Sequence, residues 1–303
     1  MTELSQTVLE SYQIRKTKKQ KTAFIELLQK ELGEENVRVE KSGSFGSRNI
    51  VLGDPASAKV ILTAHYDTQP VLPFPNFLTP KNLPLYLGYN ILLVLCFGVL
   101  FFFVGFFAGM LNADPLLTTV LSEGLVFALV GLMLFGPANR HTANDNTSGV
   151  ITVLEAYQNE AVRKKAAFVL FDHEEMGLLG SSAYAKVHKK ELPGKLVMNF
   201  DCVGDGDNLM LILSRDAANL AEPLRTAFTG EGEKQFLIEN AKGTLYPSDQ
   251  ICFKRSVGVA AFRRHPKIGL YISRIHTKQD TICEEENIRL LLAGVERYLA
   301  DHL

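Results

Sequence analysis

The sequence has no excess of basic residues, which argues against nucleic acid as its main partner. Lys and Arg number 32 against 33 Asp and Glu, so the formal net charge is −1, whereas binding to a phosphate backbone needs a basic surplus. The four cysteines are widely separated and form no C-x-x-C pair, so a disulfide framework and a structural zinc knuckle are not expected. Free thiols in a reducing compartment are expected instead. The charged N-terminus lacks the apolar stretch of a signal peptide, and none is expected.

One part of the chain has almost no charge, since residues 82–139 contain only Asp114 and Glu123. About 20 apolar residues cross the hydrocarbon core of a bilayer, and two successive runs of that length are present. The pattern predicts a transmembrane helical hairpin over residues 83–137. A hydrophobic lid or a buried pair of dimerisation helices is the alternative. The predicted spans are Leu92–Leu111 and Leu116–Phe135, joined by the turn Asn112–Pro115.

The two sides of the predicted hairpin differ in charge. Two spans return the chain to the side from which it left, so residues 1–82 and 138–303 are expected to form one domain. The turn between the spans has no Lys or Arg, whereas Lys81 and Arg140 flank the hairpin. The positive-inside rule therefore predicts an integral membrane protein with its domain on the cytoplasmic side.

Outside the apolar block, short apolar runs alternate with stretches of helical periodicity. Runs such as Val60–Thr63, Ala166–Phe171 and Leu196–Phe200 are typical of strands covered on both faces. The alternation predicts an α/β fold, a three-layer αβα sandwich with a mixed, largely parallel central sheet. Ligands in such folds bind at the carboxyl ends of the strands. Further strands are predicted at Val37–Val39, Ile50–Leu52, Met210–Leu213, Val257–Phe262 and Leu270–Ile272, and helices at residues 5–32, Thr147–Ala161, Gly177–Lys189, Asp216–Phe228 and Glu285–Leu299.

Side chains that bind metal ions recur just after these strands. Imidazole and carboxylate ligands suit zinc, and also manganese or cobalt. Two ions about 3.5–4 Å apart can activate a water for hydrolysis, which requires a bridging carboxylate and a further carboxylate as general base. Asp67 lies two residues after His65 and is expected to orient its imidazole. The candidate residues are His65, Asp67, Asp145, Glu174, Glu175, Asp201 and His276.

Five motifs resemble, in order and spacing, the co-catalytic zinc aminopeptidase family that contains aminopeptidase S, aminopeptidase Y and glutamate carboxypeptidase. They are AHYDT, ANDNTSGV, HEEMGLLGS, NFDCVG and HTKQDT. The resemblance covers about residues 36–82 and 138–303 and implies a zinc metallopeptidase domain of the zinc-exopeptidase fold. It implies His65 and Asp201 as ligands of one zinc, Glu175 and His276 as ligands of the other, Asp145 as the bridge, Glu174 as general base and acid, Asp67 as support for His65, Asp280 as a partner of the His276 segment, and Ser248 and Asp249 as an SDH-like segment near the substrate.

The function implied by the resemblance is that of a zinc-dependent exopeptidase, most simply an aminopeptidase that cleaves N-terminal peptide bonds by a metal-bound hydroxide. Two Zn²⁺ per chain are expected, with Mn²⁺ or Co²⁺ as alternatives. Two positions depart from the family, since Gln250 replaces the SDH histidine and Ile275 replaces a tyrosine of some members. The alternatives are a carboxypeptidase or dipeptidase, an amide deacylase, a single-zinc glutaminyl cyclase and a non-catalytic membrane scaffold.

The hairpin is the largest departure, because the family usually has a short loop between Asp67 and Asp145. Its two ends lie close in sequence to these residues, so the bilayer is expected to be a partner beside the peptide substrate. The hairpin is either an anchor or oligomerisation element, to which the G-x-x-x-G pair Gly105 and Gly109 would contribute, or it takes part in access of peptides near the bilayer.

Overall fold

The computed structural model describes residues 1–43, 45–112 and 114–303, and it has a mixed central sheet. The strand order is β1-β2-β4-β3-β5-β8-β6-β7, and β9 pairs with the end of β8. The predicted α/β sandwich with a largely parallel central sheet is confirmed. The strands are β1 (Val37–Ser42), β2 (Ser47–Leu52), β3 (Val60–His65), β4 (Ala166–Phe171), β5 (Leu196–Phe200), β6 (Asn208–Leu213), β7 (Gln235–Asn240), β8 (Ser256–His265) and β9 (Gly269–Tyr271).

The parallel centre of the sheet brings the ends of three strands together. β3 pairs in parallel with β4 and with β5, and β5 pairs in parallel with β8. Antiparallel pairs lie toward the edges, where β1 pairs with β2 and β6 with β8. Every residue of β3, β4 and β5 is buried. The carboxyl ends of these strands therefore meet at one edge of the sheet, which is where the sequence places the predicted metal ligands.

Helices cover both faces of the sheet. Side chains of α1, α2, α5, α6, α8 and α9 share one core cluster with one face, whereas α7 packs against the other face. The predicted helix over residues 5–32 is two helices, because the backbone is non-helical between them and Thr17 starts the second with a capping box to Gln20. The helices of the domain are α1 (Glu3–Ser11), α2 (Lys18–Leu32), α5 (Gly149–Gln158), α6 (Glu160–Arg163), α7 (Leu179–Val187), α8 (Ala221–Ala227) and α9 (Glu285–His302).

Two long helices project from the domain, α3 (Leu83–Met110) and α4 (Pro115–Phe135). No residue of either helix is buried, and both are long and apolar enough to cross a membrane by length and composition. The predicted turn between them includes Ala113, which lies outside the described residues. The first helix begins at Leu83, nine residues before the predicted span that starts at Leu92.

Candidate metal centre

The ends of the three central strands bring the predicted ligands together. His65 is the last residue of β3, Asp201 follows β5, and Glu174 and Glu175 lie just beyond β4. Asp145 lies in the turn Ala143–Ser148 before α5. Ligand atoms of these residues lie within 4.8 Å of one another in three overlapping groups. The groups are His65, Asp145 and Asp201; Asp145, Glu175 and His276; and His65, Glu174 and Glu175.

Asp145 stands between two sets of ligand atoms. Its Oδ1 is 3.4 Å from Nε2 of His65, which is itself 3.5 Å from Oδ1 of Asp201. Its Oδ2 is 2.9 Å from Nε2 of His276, and that nitrogen is 4.0 Å from Oε2 of Glu175. The two oxygens of one carboxylate thus face two different groups, which is the arrangement a bridging ligand needs.

The chemistry of the donor set fits a cation. Oδ1 of Asp201 and Oε1 of Glu175 are buried and have no hydrogen-bond partner among the described residues. Buried carboxylate oxygens without a partner are costly unless a positive charge satisfies them. Burial raises the pKa of the Glu175 carboxyl well above its usual value, and the charges of Asp145 and Glu174 add to this. A divalent ion between these oxygens would remove the mutual repulsion.

Glu174 lies beside these groups and belongs to only one of the three sets. Burial raises the pKa of its carboxyl well above the usual value; the charge of His65 opposes the shift, and Asp249 and Asp201 reinforce it. A carboxyl with a raised pKa in a buried site is suited to proton transfer near neutral pH.

Asp67 contacts both His65 and the backbone of the two glutamates. Its Oδ1 accepts the backbone N–H of Glu174 at 2.9 Å, and its Oδ2 accepts that of Glu175 at 3.3 Å. Nδ1 of His65 is 3.1 Å from the backbone carbonyl oxygen of Asp67 and 3.7 Å from its carboxylate. The carboxylate therefore holds the backbone of the two glutamates, and the imidazole is oriented by the carbonyl.

The carboxylate of Asp280 holds the backbone of the turn before α5. Its carboxylate accepts the N–H of Asn144 at 2.8 Å and the N–H of Asp145 at 3.0 Å. Burial raises the pKa of Asp280 to about 8, and the charge of Asp145 contributes. This side chain positions the turn that carries the bridging candidate.

The SDH-like segment is buried close to the site. Ser248 is fully buried and its hydroxyl accepts a hydrogen bond from Asn199 at 3.0 Å. Asp249 is fully buried, and neither of its carboxylate oxygens has a hydrogen-bond partner among the described residues. Burial raises its pKa to about 7. Gln250 donates to the carbonyl of Tyr246 at 2.7 Å, so this side chain has a structural partner.

Two asparagines that the motifs do not single out also position the turn of Asp145. Asn144 accepts the N–H of Gly204 at 2.7 Å, and Asn146 donates to the carbonyl of Phe200 at 2.9 Å. These amides tie the turn of Asp145 to the loop after β5. The Asn-Asp-Asn order in ANDNTSGV was the available signal, because side-chain amides pair well with backbone groups in turns.

Arg15 is the largest fully buried side chain among the described residues, and it is hydrogen-bonded beside the site. Its guanidinium donates to the carbonyl of Tyr66 at 2.5 Å and to the hydroxyl of Thr147 at 3.2 Å. It thus joins the loop after β3 to the turn before α5. No sequence signal marks it, because its partners come from distant parts of the chain.

The backbone around the site also departs from common conformations. His173, Cys202 and His276 have positive φ angles of 56°, 54° and 66°. Such conformations cost about 1–3 kcal/mol for residues other than glycine and concentrate at functional sites. Each of the three is a candidate ligand or lies within two residues of one.

Comparison with known proteins gives a family and a fold. A model described as peptidase family M28 matches residues 127–291, more than half of the chain. The matched range contains Asp145, Glu174, Glu175, Asp201 and His276. Comparison with curated protein sequences gives no match.

Solved structures of similar fold include both peptidases and cyclases. The aminopeptidase LapA of Legionella pneumophila has a TM-score of 0.55 at 14% identity, covering 98% of this chain and 67% of that one. Glutaminyl cyclase of Porphyromonas gingivalis has a TM-score of 0.59 at 16% identity, covering 99% and 96%. Glutaminyl cyclase of an Acidobacteriales bacterium has a TM-score of 0.57 at 14% identity, covering 98% and 91%. At these identities the likeness concerns the fold.

Proposed function

Because the chain belongs to peptidase family M28, we propose that it is a membrane-anchored, zinc-dependent exopeptidase, and specifically an aminopeptidase. The observation that carries the proposal is the geometry of Asp145. One of its oxygens faces His65 and Asp201, and the other faces His276 and Glu175. This geometry supports two metal ions per chain, with Asp145 as their bridge.

The proposed mechanism divides the work between the metal centre and Glu174. Two Zn²⁺ ions, with Mn²⁺ or Co²⁺ as alternatives, would polarise the peptide carbonyl and lower the pKa of a water. Glu174 takes the proton from the attacking water and passes it to the leaving nitrogen. Asp67 accepts the backbone N–H of Glu174 and so fixes the position of that residue beside the metal centre. Arg15 joins the loop after β3 to the turn before α5, and Asp280 holds the backbone of that same turn.

A carboxylate outside the proposed ligand set favours an amino end over a carboxyl end. Asp249 is buried close to the site, and neither of its carboxylate oxygens has a hydrogen-bond partner among the described residues. A protonated α-amine is attracted to such a region, whereas an α-carboxylate is repelled. This is the reason for proposing an aminopeptidase rather than a carboxypeptidase.

A matched pair of variants tests the assignment. Glu174→Gln and Glu175→Gln make the same change at adjacent residues. We expect Glu174→Gln to lower kcat by about 10²–10⁴-fold with metal content unchanged, because it removes only the proton acceptor. We expect Glu175→Gln to lower the number of metal ions per chain, because it removes a ligand. Metal is measured by mass spectrometry of the purified protein, and activity with aminoacyl-p-nitroanilides.

The outcomes separate the competing functions. Most of the activity remaining in Glu174→Gln would contradict its role as general base. Two metal ions per wild-type chain support the bridged centre. One metal ion, together with cyclisation of peptides that begin with glutamine, would support a glutaminyl cyclase, whose fold the chain shares. Cleavage only of N-terminally blocked peptides would indicate a carboxypeptidase or deacylase, and no metal would indicate a scaffold.

Membrane anchoring through α3 and α4 is part of the proposal. Nζ of Lys16 donates to the carbonyl of Leu134 at 2.9 Å, so a lysine of the domain lies at the last turn of α4. Arg140 is exposed just beyond that helix. These cations at the domain end of the hairpin support a cytoplasmic domain. An oligomer formed through Gly105 and Gly109 stays a prediction.

A further inference from the structure

We infer that the segment Val71–Phe77, here called the lip, lies in the bilayer interface, and that the substrate is a peptide whose chain continues into the same bilayer. The lip has the sequence VLPFPNF and lies in the connection between β3 and α3. It is hydrogen-bonded to the backbone of His276. The inference rests on the proposed function and on the anchoring role of the hairpin, and it specifies the class of substrate.

The lengths of the two helices differ in a way that places the lip. α4 has 21 residues, or about 32 Å, which matches a hydrocarbon core of about 30 Å. α3 has 28 residues, or about 42 Å, which is about 12 Å too long. The first part of α3, Leu83–Asn90, contains two tyrosines and an asparagine, whereas Ile91–Met110 is wholly uncharged and almost entirely apolar. Leu83–Asn90 therefore fits the interface and Ile91–Met110 the core.

The lip runs beside α3 and contacts both its interfacial part and its apolar part. The hydroxyl of Tyr89 donates to the carbonyl of Pro75 at 2.7 Å. The ring of Phe77 packs on Tyr89 with centroids 5.4 Å apart. The ring of Phe74 contacts that of Phe97 with centroids 6.2 Å apart, and Phe97 belongs to the apolar part of the helix. Phe97 is six residues beyond Ile91, or about 9 Å along the helix, so Phe74 reaches past the interface to the part of α3 that fits the hydrocarbon core.

The lip is also hydrogen-bonded to the backbone of the segment that carries His276. The N–H of Leu72 donates to the carbonyl of His276 at 2.8 Å, and the N–H of Asn76 donates to that of Ile275 at 3.4 Å. The N–H of Val71 donates to the carbonyl of Pro137, two residues beyond α4, at 2.9 Å. The lip is thus held between the end of the hairpin and a candidate metal ligand.

The distance from Phe74 to His276 sets how long a spacer the substrate needs between its anchor and its free N-terminus. Phe74 is two residues from Leu72, which spans at most about 7 Å, so the backbone of His276 lies within about 10 Å of Phe74. An extended peptide covers that distance in about three or four residues. A chain that leaves the bilayer can present its free N-terminus here after a short spacer, and its anchor raises its effective concentration. A freely soluble peptide has no such advantage.

The position of the lip can be measured directly, because the chain contains no tryptophan. A Phe74→Trp variant provides a single indole in the lip. Phe45→Trp, at a residue 66% exposed in the turn between β1 and β2, is the matched control in the domain. Phe127→Trp in α4, 75% exposed, is the control within the bilayer. Each is reconstituted into phosphatidylcholine vesicles with bromines at the upper part of the acyl chain, which quench indole emission.

We expect Phe74→Trp to lose at least half as much emission as Phe127→Trp, and Phe45→Trp to lose almost none. Equal loss in the Phe74→Trp and Phe45→Trp variants would overturn the interfacial position of the lip. This readout does not depend on activity. A failure of the proposed enzyme function therefore leaves it intact.

The substrate class is tested with paired peptides and wild-type enzyme in vesicles. Both peptides have the same free N-terminus and spacer, and one continues into an apolar helix. We expect kcat/KM for the anchored peptide to be at least about 10-fold higher, with an optimum spacer of about three to six residues. Phe74→Ser should lower the ratio of the two values, whereas Phe45→Ser should leave it unchanged. Equal kcat/KM for both peptides would refute the substrate class, and cleavage of neither would refute the proposed function.

Discussion

Replacing Lys21 with methionine should destabilise the domain more than a single surface charge could. The ammonium group of Lys21 contacts the carboxylate of Asp172, and the two side chains are 5% and 2% exposed. Asp172 also accepts the backbone N–H of Arg48 and of His173, each at 2.9 Å. This carboxylate directly precedes the loop that carries Glu174. Without Lys21 it would be a buried charge with only two neutral donors.

The magnitude follows from the burial of the pair. Removing one partner of a buried ion pair costs about 3–5 kcal/mol, and the two remaining N–H donors place this case near 3 kcal/mol. For a domain of this size that corresponds to a melting temperature lower by roughly 6–12 °C. Lys164→Met is the control, since Lys164 and Glu160 form a pair that is 70% and 68% exposed, and exposed pairs contribute little.

The direction in which a second substitution changes the melting temperature provides a further test. Adding Asp172→Asn to Lys21→Met removes the uncompensated charge, so the double variant should melt above Lys21→Met by at least the equivalent of about 1 kcal/mol. The assay is thermal unfolding in detergent followed by circular dichroism. If Lys21→Met shifts the melting temperature no more than Lys164→Met, or if the second substitution lowers it further, the reasoning is refuted.

Two further perturbations concern pH and backbone packing. Burial lowers the pKa of His188, but hydrogen bonds to Glu191 and Glu40 outweigh it, so the net effect is a raised pKa. The protonated imidazole therefore stabilises the folded state. This contribution is complete below about pH 6.5 and is lost as pH rises through the folded pKa. His188→Gln should accordingly melt below wild type at about pH 5.5 and approach it at about pH 9, and a difference independent of pH would contradict this. Gly180→Ala would place its Cβ 2.0 Å from the carbonyl oxygen of Asp172, and because backbone must move, we expect a loss of about 1–3 kcal/mol in urea unfolding, contradicted by an unchanged midpoint.

The parts of the fold that could be predicted are those with a local cause. β4 and β5 have the predicted bounds, because a strand covered on both faces is a continuous apolar run. β7 was not predicted, since it is an edge strand with a polar and partly exposed pattern. The helix predicted from Thr147 begins at Gly149, because Ala143–Ser148 forms a separate turn held by distant partners.

The hydrogen-bond partners of the site residues could not be predicted from the sequence. Asp67 was predicted to support His65, but nothing in the sequence indicated that its carboxylate also accepts the N–H groups of Glu174 and Glu175. Asp280 was predicted as a partner of the His276 segment, but nothing in the sequence indicated that its carboxylate accepts the N–H groups of Asn144 and Asp145. Spacing along a chain shows which groups are near in sequence, but it does not show which N–H groups the fold brings opposite a carboxylate.

The sequence by itself determined the apolar hairpin, the buried strands and the set of side chains at the strand ends, because hydrophobic length, periodicity and residue chemistry act locally. Tertiary structure alone decided that the two oxygens of Asp145 face different groups and that Arg15 lies buried beside the site. It alone decided that the lip lies between His276 and the hairpin. These relations join residues up to about 200 positions apart, and such contacts arise from packing of the whole chain rather than from any local pattern.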